Sequence, residues 1–510
     1  MKNELAVIDI GSNSIRYVIF HATASRRLEE KINVKVVARL SAHIDKKGAL
    51  SIEGIELLID TLNRFHALGE SHAVEETLVV ATAAIRNASN QEEISAAVET
   101  GTPYAMRILS DEQEAYYGYF AIINSTFLRD GFSVDIGGGS MEVTWIEDRE
   151  MVAYHSFPFG AVTLTKRFVS GETMTETERK QLTKFLRSEF AKLPWLKGKK
   201  LPLIGVGGSA RNFVKVHQAK TDYPLPDVHQ YQVKEKELEK VIDDLFGLSQ
   251  KQLAKVDGLS KDRIDIITPA LLAIHELALY IGAEQFVMSN YGLREGLLYE
   301  HALEEKGETR VQNVKEESIL QLETDYHVIR ERNGYVGRLA HSVYAGLVDT
   351  GIIPFREADE RLLSSASRLL YCGRYINPDT RSDQTFHLLT NTGLKGLTHK
   401  DRIALAVVSS FSSTRRTERF LSPYKDWFTA KSVLRFNLLG AILKFADGLD
   451  VTERSAIEHV DVSHDGKELR IALHADGHDC RFEIERGEKQ KKHLERILDT
   501  RIRLEKGDDT

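Results

Sequence analysis

The chain has 510 residues, of which 42% are hydrophobic and 28% charged, with a formal net charge of −7. This balance excludes a disordered or fibrous protein and argues against a general nucleic-acid coat, and the length predicts several domains rather than one core. Two cysteines, Cys372 and Cys480, leave no disulfide framework and suit a reducing cytoplasm. No apolar run approaches the ~20 residues that span a bilayer, and Met1 to Leu5 leads straight into a strand with no apolar signal segment ahead of it.

The first element, Ile8-Asp9-Ile10-Gly11-Ser12-Asn13-Ser14-Ile15-Arg16-Tyr17-Val18, reads as strand, glycine turn and strand. A further strand is expected over Lys35 to Leu40. Residues 51 to 68 form an amphipathic helix, with Ile52, Ile55, Leu58, Ile59, Leu62 and Phe65 at spacings of three and four. Thr77 to Ala81 is a buried strand that delivers Thr82-Ala83-Ala84-Ile85-Arg86 to its C-terminal end, where open α/β sheets keep their ligands. Arg86 there suits either a phosphate or a helix-capping contact. After a strand at Arg107 to Leu109, Ser110-Asp111-Glu112-Gln113 has the form of a capping box, so a helix begins and Glu114 sits in or just past its first turn. The helix dipole alone accounts for acids at that position.

Val134-Asp135-Ile136-Gly137-Gly138-Gly139-Ser140-Met141-Glu142 repeats the first hairpin at a constant offset of 126 (135 minus 9), which lays Asp135 over Asp9 and Glu142 over Arg16. Three successive glycines can gather backbone N–H groups into a nest for a phosphate. Asp135, at the mouth of that nest, is placed to hold a divalent cation against the same phosphate. Neither copy runs into a helix with a Walker lysine or a GxGxxG spacing, which excludes the two commonest phosphate loops. A third run, Gly205-Val206-Gly207-Gly208-Ser209, follows the strand Leu203-Ile204. Two hairpins with an aspartate facing each turn predict two related lobes clasping one phosphate chain.

Further on, a strand (Met151 to Phe157) and a charged helix (Glu176 to Leu193) are expected, then helices over 234 to 247 and 262 to 281, where Pro269 bends the second or marks its true start. His275 reads as a core histidine. The strand Phe286 to Ser289 leads into Tyr291-Gly292-Leu293-Arg294-Glu295-Gly296, a turn and helix. Arg16 and Arg294 carry guanidinium groups that never titrate and fork onto phosphate oxygens, though each alone also suits a surface ion pair. From about residue 305 charged helices follow: Glu316 to Glu331, Gly337 to Thr350, Glu357 to Tyr371, Lys400 to Arg416 and Ser432 to Gly448. The tail returns to strands, Ile457 to Val462, Glu468 to His474 and Asp479 to Glu485, and finishes in a basic helix around Lys489 to Arg496.

Taken in order, both hairpins, the third glycine run, Val80 to Ala88, Asp111-Glu112-Gln113-Glu114-Ala115 and Tyr291 to Gly296 resemble the exopolyphosphatase and guanosine pentaphosphate phosphatase (Ppx/GppA) family. That family lies within the superfamily of actin, the heat-shock chaperone ATPases and the sugar kinases. The resemblance is strong over residues 5 to 300 and weak beyond. It implies an α/β fold of two actin-like (ribonuclease H-like) lobes, 1–125 and 126–304, followed by an all-α HD-like domain, 305–450, and a small α+β C-terminal domain, 451–510. An HD phosphohydrolase uses a histidine, a His-Asp pair and a late aspartate as metal ligands. His341 and Asp447 match the ends of that pattern, but Tyr371-Cys372-Gly373 stands where the pair belongs, so a degenerate site is expected.

The resemblance also implies roles. Glu114 matches the family's catalytic glutamate. Asp9, Gly11, Ser12, Asn13, Ser14, Arg16, Arg86, Gly137, Gly138, Gly139, Ser140, Gly207, Gly208, Ser209 and Arg294 are expected to bind phosphate, and Asp135 and Glu142 to hold metal, Mg²⁺ or Mn²⁺, with a monovalent K⁺ allowed. The expected activity is hydrolysis of the terminal phosphoanhydride of inorganic polyphosphate. The alternatives are 5′-phosphatase action on guanosine pentaphosphate and, further off, an alarmone-binding protein without turnover. A sugar kinase is disfavoured, because no aspartate stands out for a sugar pocket. Expected partners are polyphosphate and a second copy of the chain, with no nucleic acid and no membrane span.

Overall fold

The computed structural model describes residues 4–25, 27–475 and 479–507, so the lead-in Met1 to Asn3 lies outside the described residues. The chain forms two compact units, Met1–Val314 and Lys315–Thr510. Among the described residues no helix is long and apolar enough to cross a membrane.

The first unit is built on two sheets. The first contains β1 (Glu4–Ile10), β2 (Ile15–Ala22), β3 (Leu28–Val36), β4 (Glu76–Ala81) and β5 (Arg107–Ile108), in the order β3-β2-β1-β4-β5. The second contains β6 (Gly131–Ile136), β7 (Met141–Glu147), β8 (Glu150–Phe157), β9 (Leu203–Val206), β10 (Gln232–Lys234) and β11 (Gln285–Met288), in the order β10-β11-β9-β6-β7-β8. In each, three antiparallel strands in meander are extended by two parallel ones, and only the edge strand β10 has no counterpart. The repeat seen in the sequence is thus a repeat of topology. β3 differs from expectation: it runs over Leu28–Val36, so of the expected strand only Lys35 and Val36 lie in the sheet, and the chain then leaves it for a short 3₁₀ turn at Leu40–Ala42.

Each sheet is covered by amphipathic helices. Ile55, Leu58, Leu62 and Phe65 of the helix Ile52–Ser71 are buried over β1 and β2, and Ser51 caps that helix by accepting from Gly54 N. Pro269 lies in the first turn of the helix Ile267–Ile281 and marks a true start, where its missing N–H costs nothing. Two helices join the lobes. In Asp111–Ile123, Tyr117 enters the core of the first lobe, while Phe120 and Ile123 pack against Ile146 and Ile204 of the second. Leu293–Glu304 follows the second lobe in sequence, yet its Leu297 and Leu298 complete the first lobe's core with Leu5, Val7 and Tyr117. Its Leu303 packs with Ile146 and Ile204 of the second lobe, so this helix bridges the two. Gly296 allows the approach: a Cβ there would lie 2.1 Å from the carbonyl oxygen of Tyr117.

The second unit is a set of helices, among them Arg330–Asp349, Glu357–Arg368, His399–Ser409 and Ala430–Gly448, with a three-stranded sheet of β12 (His459–His464), β13 (Glu468–His474) and β14 (Arg501–Lys506). The strand expected at Asp479 to Glu485 is instead the start of a helix, Arg481–Gln490. Cys480, Phe482 and Ile484 alternate with polar residues, as in a strand, but Phe482 is exposed and Glu483 is fully buried, hydrogen-bonded by Thr452. The expected helix Lys400 to Arg416 breaks at Ser410, and a new one, Thr414–Leu421, starts on the cap of Ser413.

Candidate active site

The two glycine hairpins close with the same hydrogen bond. Gly11 N donates to Ser14 O at 3.1 Å, and Gly137 N donates to Ser140 O at 3.0 Å. In β1 and β2 Asp9 faces Arg16 across the ladder; in β6 and β7 Asp135 faces Glu142. The equivalent position thus holds a cation in one lobe and an acid in the other. Both turns, with Glu114, Asp9 and Asp135, line a cavity of about 230 Å³. It adjoins a second cavity of about 630 Å³ whose walls include Arg16, Lys35, Arg211, Lys215, Arg263 and Arg294. Neither wall contains an aromatic side chain among the described residues.

The third glycine run ends its strand differently. β9 passes straight into the helix Gly207–Lys220, so the run forms a helix start rather than a hairpin. Gly207 has φ of +80°, and a Cβ there would lie 2.3 Å from Asp135 Oδ1; a Cβ on Gly208 would lie 2.1 Å from Arg263 Nη2. Glycines at both positions let an acid and a guanidinium close over the backbone. Ser209, expected at a phosphate, is fully buried and accepts from Arg263 Nη1 at 3.2 Å. The turn of the helix points it into the core and brings Arg211, four residues after Gly207, to the cleft.

Glu114 is fixed by two devices. The capping box is present, with Gln113 N donating to Ser110 Oγ at 3.1 Å and Ser110 N donating to Gln113 Oε1 at 3.0 Å. Arg86 Nη1 donates to Glu114 Oε2 at 2.8 Å and to Leu109 O at 3.0 Å, while Nη2 pairs with Asp111 at 2.5 Å. Arg86 lines neither cavity. Among the described residues its donors are taken up by Glu114, Asp111 and the carbonyl that precedes the helix.

The charges of the cleft are held against their preferences. Burial raises the Asp9 and Asp135 carboxyls above the ordinary range, and Arg294 for the first and Arg263 for the second only partly offset it. Burial likewise pushes Glu114 up to about 7, against the pull of Arg86, and Glu142 up to about 8, with Glu114 facing it. Burial thus holds four acids of one site towards their protonated form. On the neighbouring wall burial and mutual repulsion depress Arg16 and Arg211, both of which feel Arg294. Arg294 Nε lies 4.0 Å from Asp9 Oδ2, and its buried Nη1 has no hydrogen-bond partner. Lys35 Nζ and Asp262 Oδ2 meet at 2.5 Å across the cleft, one from each lobe.

Residues 18 to 305 match the model of the Ppx/GppA phosphatase family. The chain belongs to that family. This phosphatase is 25% identical over 455 residues to the guanosine-5′-triphosphate,3′-diphosphate pyrophosphatase of Vibrio cholerae, covering 86% of each chain. It is also 25% identical over 299 residues to exopolyphosphatase 1 of Mycobacterium tuberculosis, covering 58% of this chain and 87% of the relative. Among solved structures, the Aquifex aeolicus family member matches with a TM-score of 0.54 and 27% identity, over 59% of this chain and 98% of the other. An exopolyphosphatase from Cytophaga hutchinsonii shares the fold, with a TM-score of 0.54 at 21% identity, over 60% of this chain and 99% of the other.

The structure of this phosphatase adds Lys35, Arg211, Lys215 and Arg263 to the cleft, none of which the motifs named. For Arg211 a signal existed, since a helix starting at Gly207 carries its fifth residue to the same face; the others come from β3, from further along that helix and from a short 3₁₀ turn, with no local pattern. Away from the cleft, His275 Nε2 meets Glu235 Oε1 at 2.6 Å within the core, as expected of a satisfied histidine. In the second unit Asp447 is engaged by guanidinium groups, accepting from Arg332 Nη2 at 2.7 Å and from Arg381 Nη2 at 3.4 Å. Tyr371, in the left-handed region with φ of +49°, donates to Phe411 O at 2.6 Å and lies under the Arg381 guanidinium. His341 Nδ1 lies 2.7 Å from Gly337 O one turn earlier.

Proposed function

We propose that this phosphatase is an exopolyphosphatase that releases orthophosphate from the end of inorganic polyphosphate. The observation that carries the reading is a small cavity where Glu114, Asp9, Asp135 and Glu142 gather, joined through the shared Arg16, Lys35 and Arg263 to a larger one that adds Arg211, Lys215 and Arg294, with no aromatic ring in either wall among the described residues. A chain charged at every unit needs the cations, whereas a nucleotide also wants a platform for its base.

In this reading the terminal phosphate enters between the hairpins at Gly11 to Ser14 and Gly137 to Ser140, and Arg294 and Arg16 hold the units behind it. Glu114, raised towards neutrality by its burial, orients a water molecule and accepts its proton as the oxygen attacks phosphorus in line with the leaving phosphate. The bond from the terminal phosphorus to the bridging oxygen breaks, so one water and a chain of n units give orthophosphate and a chain of n−1. Arg86 keeps the carboxylate in place.

The acids also fit a divalent metal. Asp135 and Glu142, with Asp9 beside them, offer only oxygen donors, and their raised carboxyls mark a site that an ion of double charge would relieve, which suits Mg²⁺ or Mn²⁺. When bound, such an ion neutralises charge on the phosphate oxygens.

A second reading, 5′-phosphatase action on guanosine pentaphosphate, is favoured by the Vibrio cholerae relative, which matches over both units, whereas the mycobacterial exopolyphosphatase spans little more than the first. Orthophosphate release from long-chain polyphosphate and from guanosine pentaphosphate, each with Mg²⁺ and with chelator, decides between them. The proposal requires faster metal-dependent release from polyphosphate; release from the nucleotide alone overturns it.

A further inference from the structure

The small sheet of the second unit carries a side-chain cluster that phosphate hydrolysis does not use. β12 and β13 pair antiparallel, with His459 directly opposite His474. Opposed residues share a face of the sheet, and Asp461, two positions from His459, shares it too. It is the outer face: Val460, Leu469, Ile471 and Leu473 are buried on the other side, whereas His459 and Asp461 are exposed and His474 is half-buried. The two imidazole rings stack at 4.0 Å, 8° from parallel. Both Nε2 atoms address one carboxylate oxygen, Asp461 Oδ2, at 3.8 Å from His459 and 2.9 Å from His474.

We propose that His459, Asp461 and His474 form a binding site for a transition-metal ion of the Zn²⁺ class, separate from the catalytic cleft. A tetrahedral ion with bonds of about 2.0 to 2.2 Å sets its donors roughly 3.3 to 3.5 Å apart. The two measured separations bracket that spacing, and one ligand atom from each of the three residues lies within 4.8 Å of the others. Because the rings stack nearly parallel, their lone pairs run side by side, and joint ligation requires the exposed His459 to swing out of the stack about its side-chain torsions.

The donor set fixes the class of ion. Two imidazole nitrogens and one carboxylate suit Zn²⁺, Ni²⁺ or Cu²⁺, whereas Mg²⁺ takes oxygen ligands and keeps its waters. Three protein ligands leave the fourth position to water. The surroundings are built to hold the ring: Gly507 N donates to Leu473 O at 2.8 Å, and a Cβ at 507 would fall 2.4 Å from the His474 imidazole. β12 is an edge strand, so an ion here would staple that edge to its neighbour.

The test uses the full-length protein, stripped with chelator, returned to buffer with millimolar Mg²⁺ to satisfy the oxygen ligands of the cleft, and titrated calorimetrically with Zn²⁺. A single Zn²⁺ per chain is expected at this site. His459→Ala should weaken it by about 100-fold, at least what loss of an outer-shell partner costs a metal site. Asp461→Asn, which keeps the shape of the side chain, should weaken it as well. With Cu²⁺ in place of Zn²⁺, electron paramagnetic resonance should show coupling to two imidazole nitrogens, falling to one in His459→Ala. Metal-free melting temperatures and Mg²⁺-dependent phosphate release should be unchanged in both variants. Zn²⁺ affinity unaltered by either substitution, or no Zn²⁺ uptake by the parent protein in Mg²⁺, overturns the assignment.

Discussion

Replacing Glu114 by glutamine separates chemistry from binding. The substitution removes the proton acceptor but keeps an oxygen to which Arg86 Nη1, now 2.8 Å away, can still donate. Positioned general bases contribute roughly 10² to 10⁴ in rate, and at about 1.4 kcal/mol per decade this raises the barrier by about 3 to 5 kcal/mol. Affinity should stay nearly constant. Glu142 is held up first by burial and then by Glu114. Without the charge of Glu114, Glu142 ionises more readily in its place, so the charge that meets a polyanion changes little. The expected result is a kcat lowered by at least ~100-fold with polyphosphate Kd little changed. Single-turnover orthophosphate release measures the first, and fluorescence anisotropy of labelled polyphosphate in Mg²⁺ the second. A rate within tenfold of the parent, or an affinity that falls in step with the rate, refutes the role given to Glu114.

Gly296→Ala should destabilise the first unit by about 1 to 3 kcal/mol and lower kcat, because the new methyl meets the Tyr117 carbonyl and forces the Glu114 and Arg294 helices apart; urea unfolding and rate assays that both match the parent would contradict the packing argument. In chelator, melting temperature should fall as pH rises from about 5 to 8. Asp9, Glu114, Asp135 and Glu142 hold their protons more tightly folded than unfolded, so the native state binds more protons in that window and loses stability as they leave. Mg²⁺ should flatten the trend, and a chelated protein that gains stability over this range would show that other groups control it. Asp447→Asn should cost about 2 kcal/mol in denaturant unfolding, below the usual loss for a broken buried pair because Asp450 and Glu453 still flank Arg332 at 3.5 and 3.3 Å. No measurable loss would mean that the guanidinium pairs are not structural.

The glycine hairpins were legible because their demands are local. A tight turn between paired strands needs glycine or serine at fixed offsets from the strand end, and the same demand twice in one chain leaves the same letters twice. The place of Glu114 at a helix start was legible through the capping box, which depends on residues three apart, whereas its expected role came from the family resemblance. Arg263, Lys35 and Lys215 were not, since a single charged side chain reaching a cleft from a short 3₁₀ turn, an edge strand or a later turn of a helix leaves no pattern around itself. The role of Arg86 could not be read because its partners Asp111 and Glu114 lie more than twenty residues away and meet it only when β4 and β5 pair in parallel. The helix Arg481–Gln490 was misread for a different reason. Alternation implies that the apolar residues face inward, and here a buried acid, Glu483, took the inside position and left Phe482 in solvent.

The ion pair between Lys35 and Asp262 behaves as a latch. It joins the two lobes where both cavities share a wall, and its partners are exposed enough, 26% and 51%, for water to weaken it to about 1 kcal/mol or less. A latch that weak keeps the lobes together only while nothing better is offered to the lysine. An incoming chain of phosphates brings many negative charges to the same ammonium group, so the substrate itself supplies the key, and high salt acts as a crude copy of it.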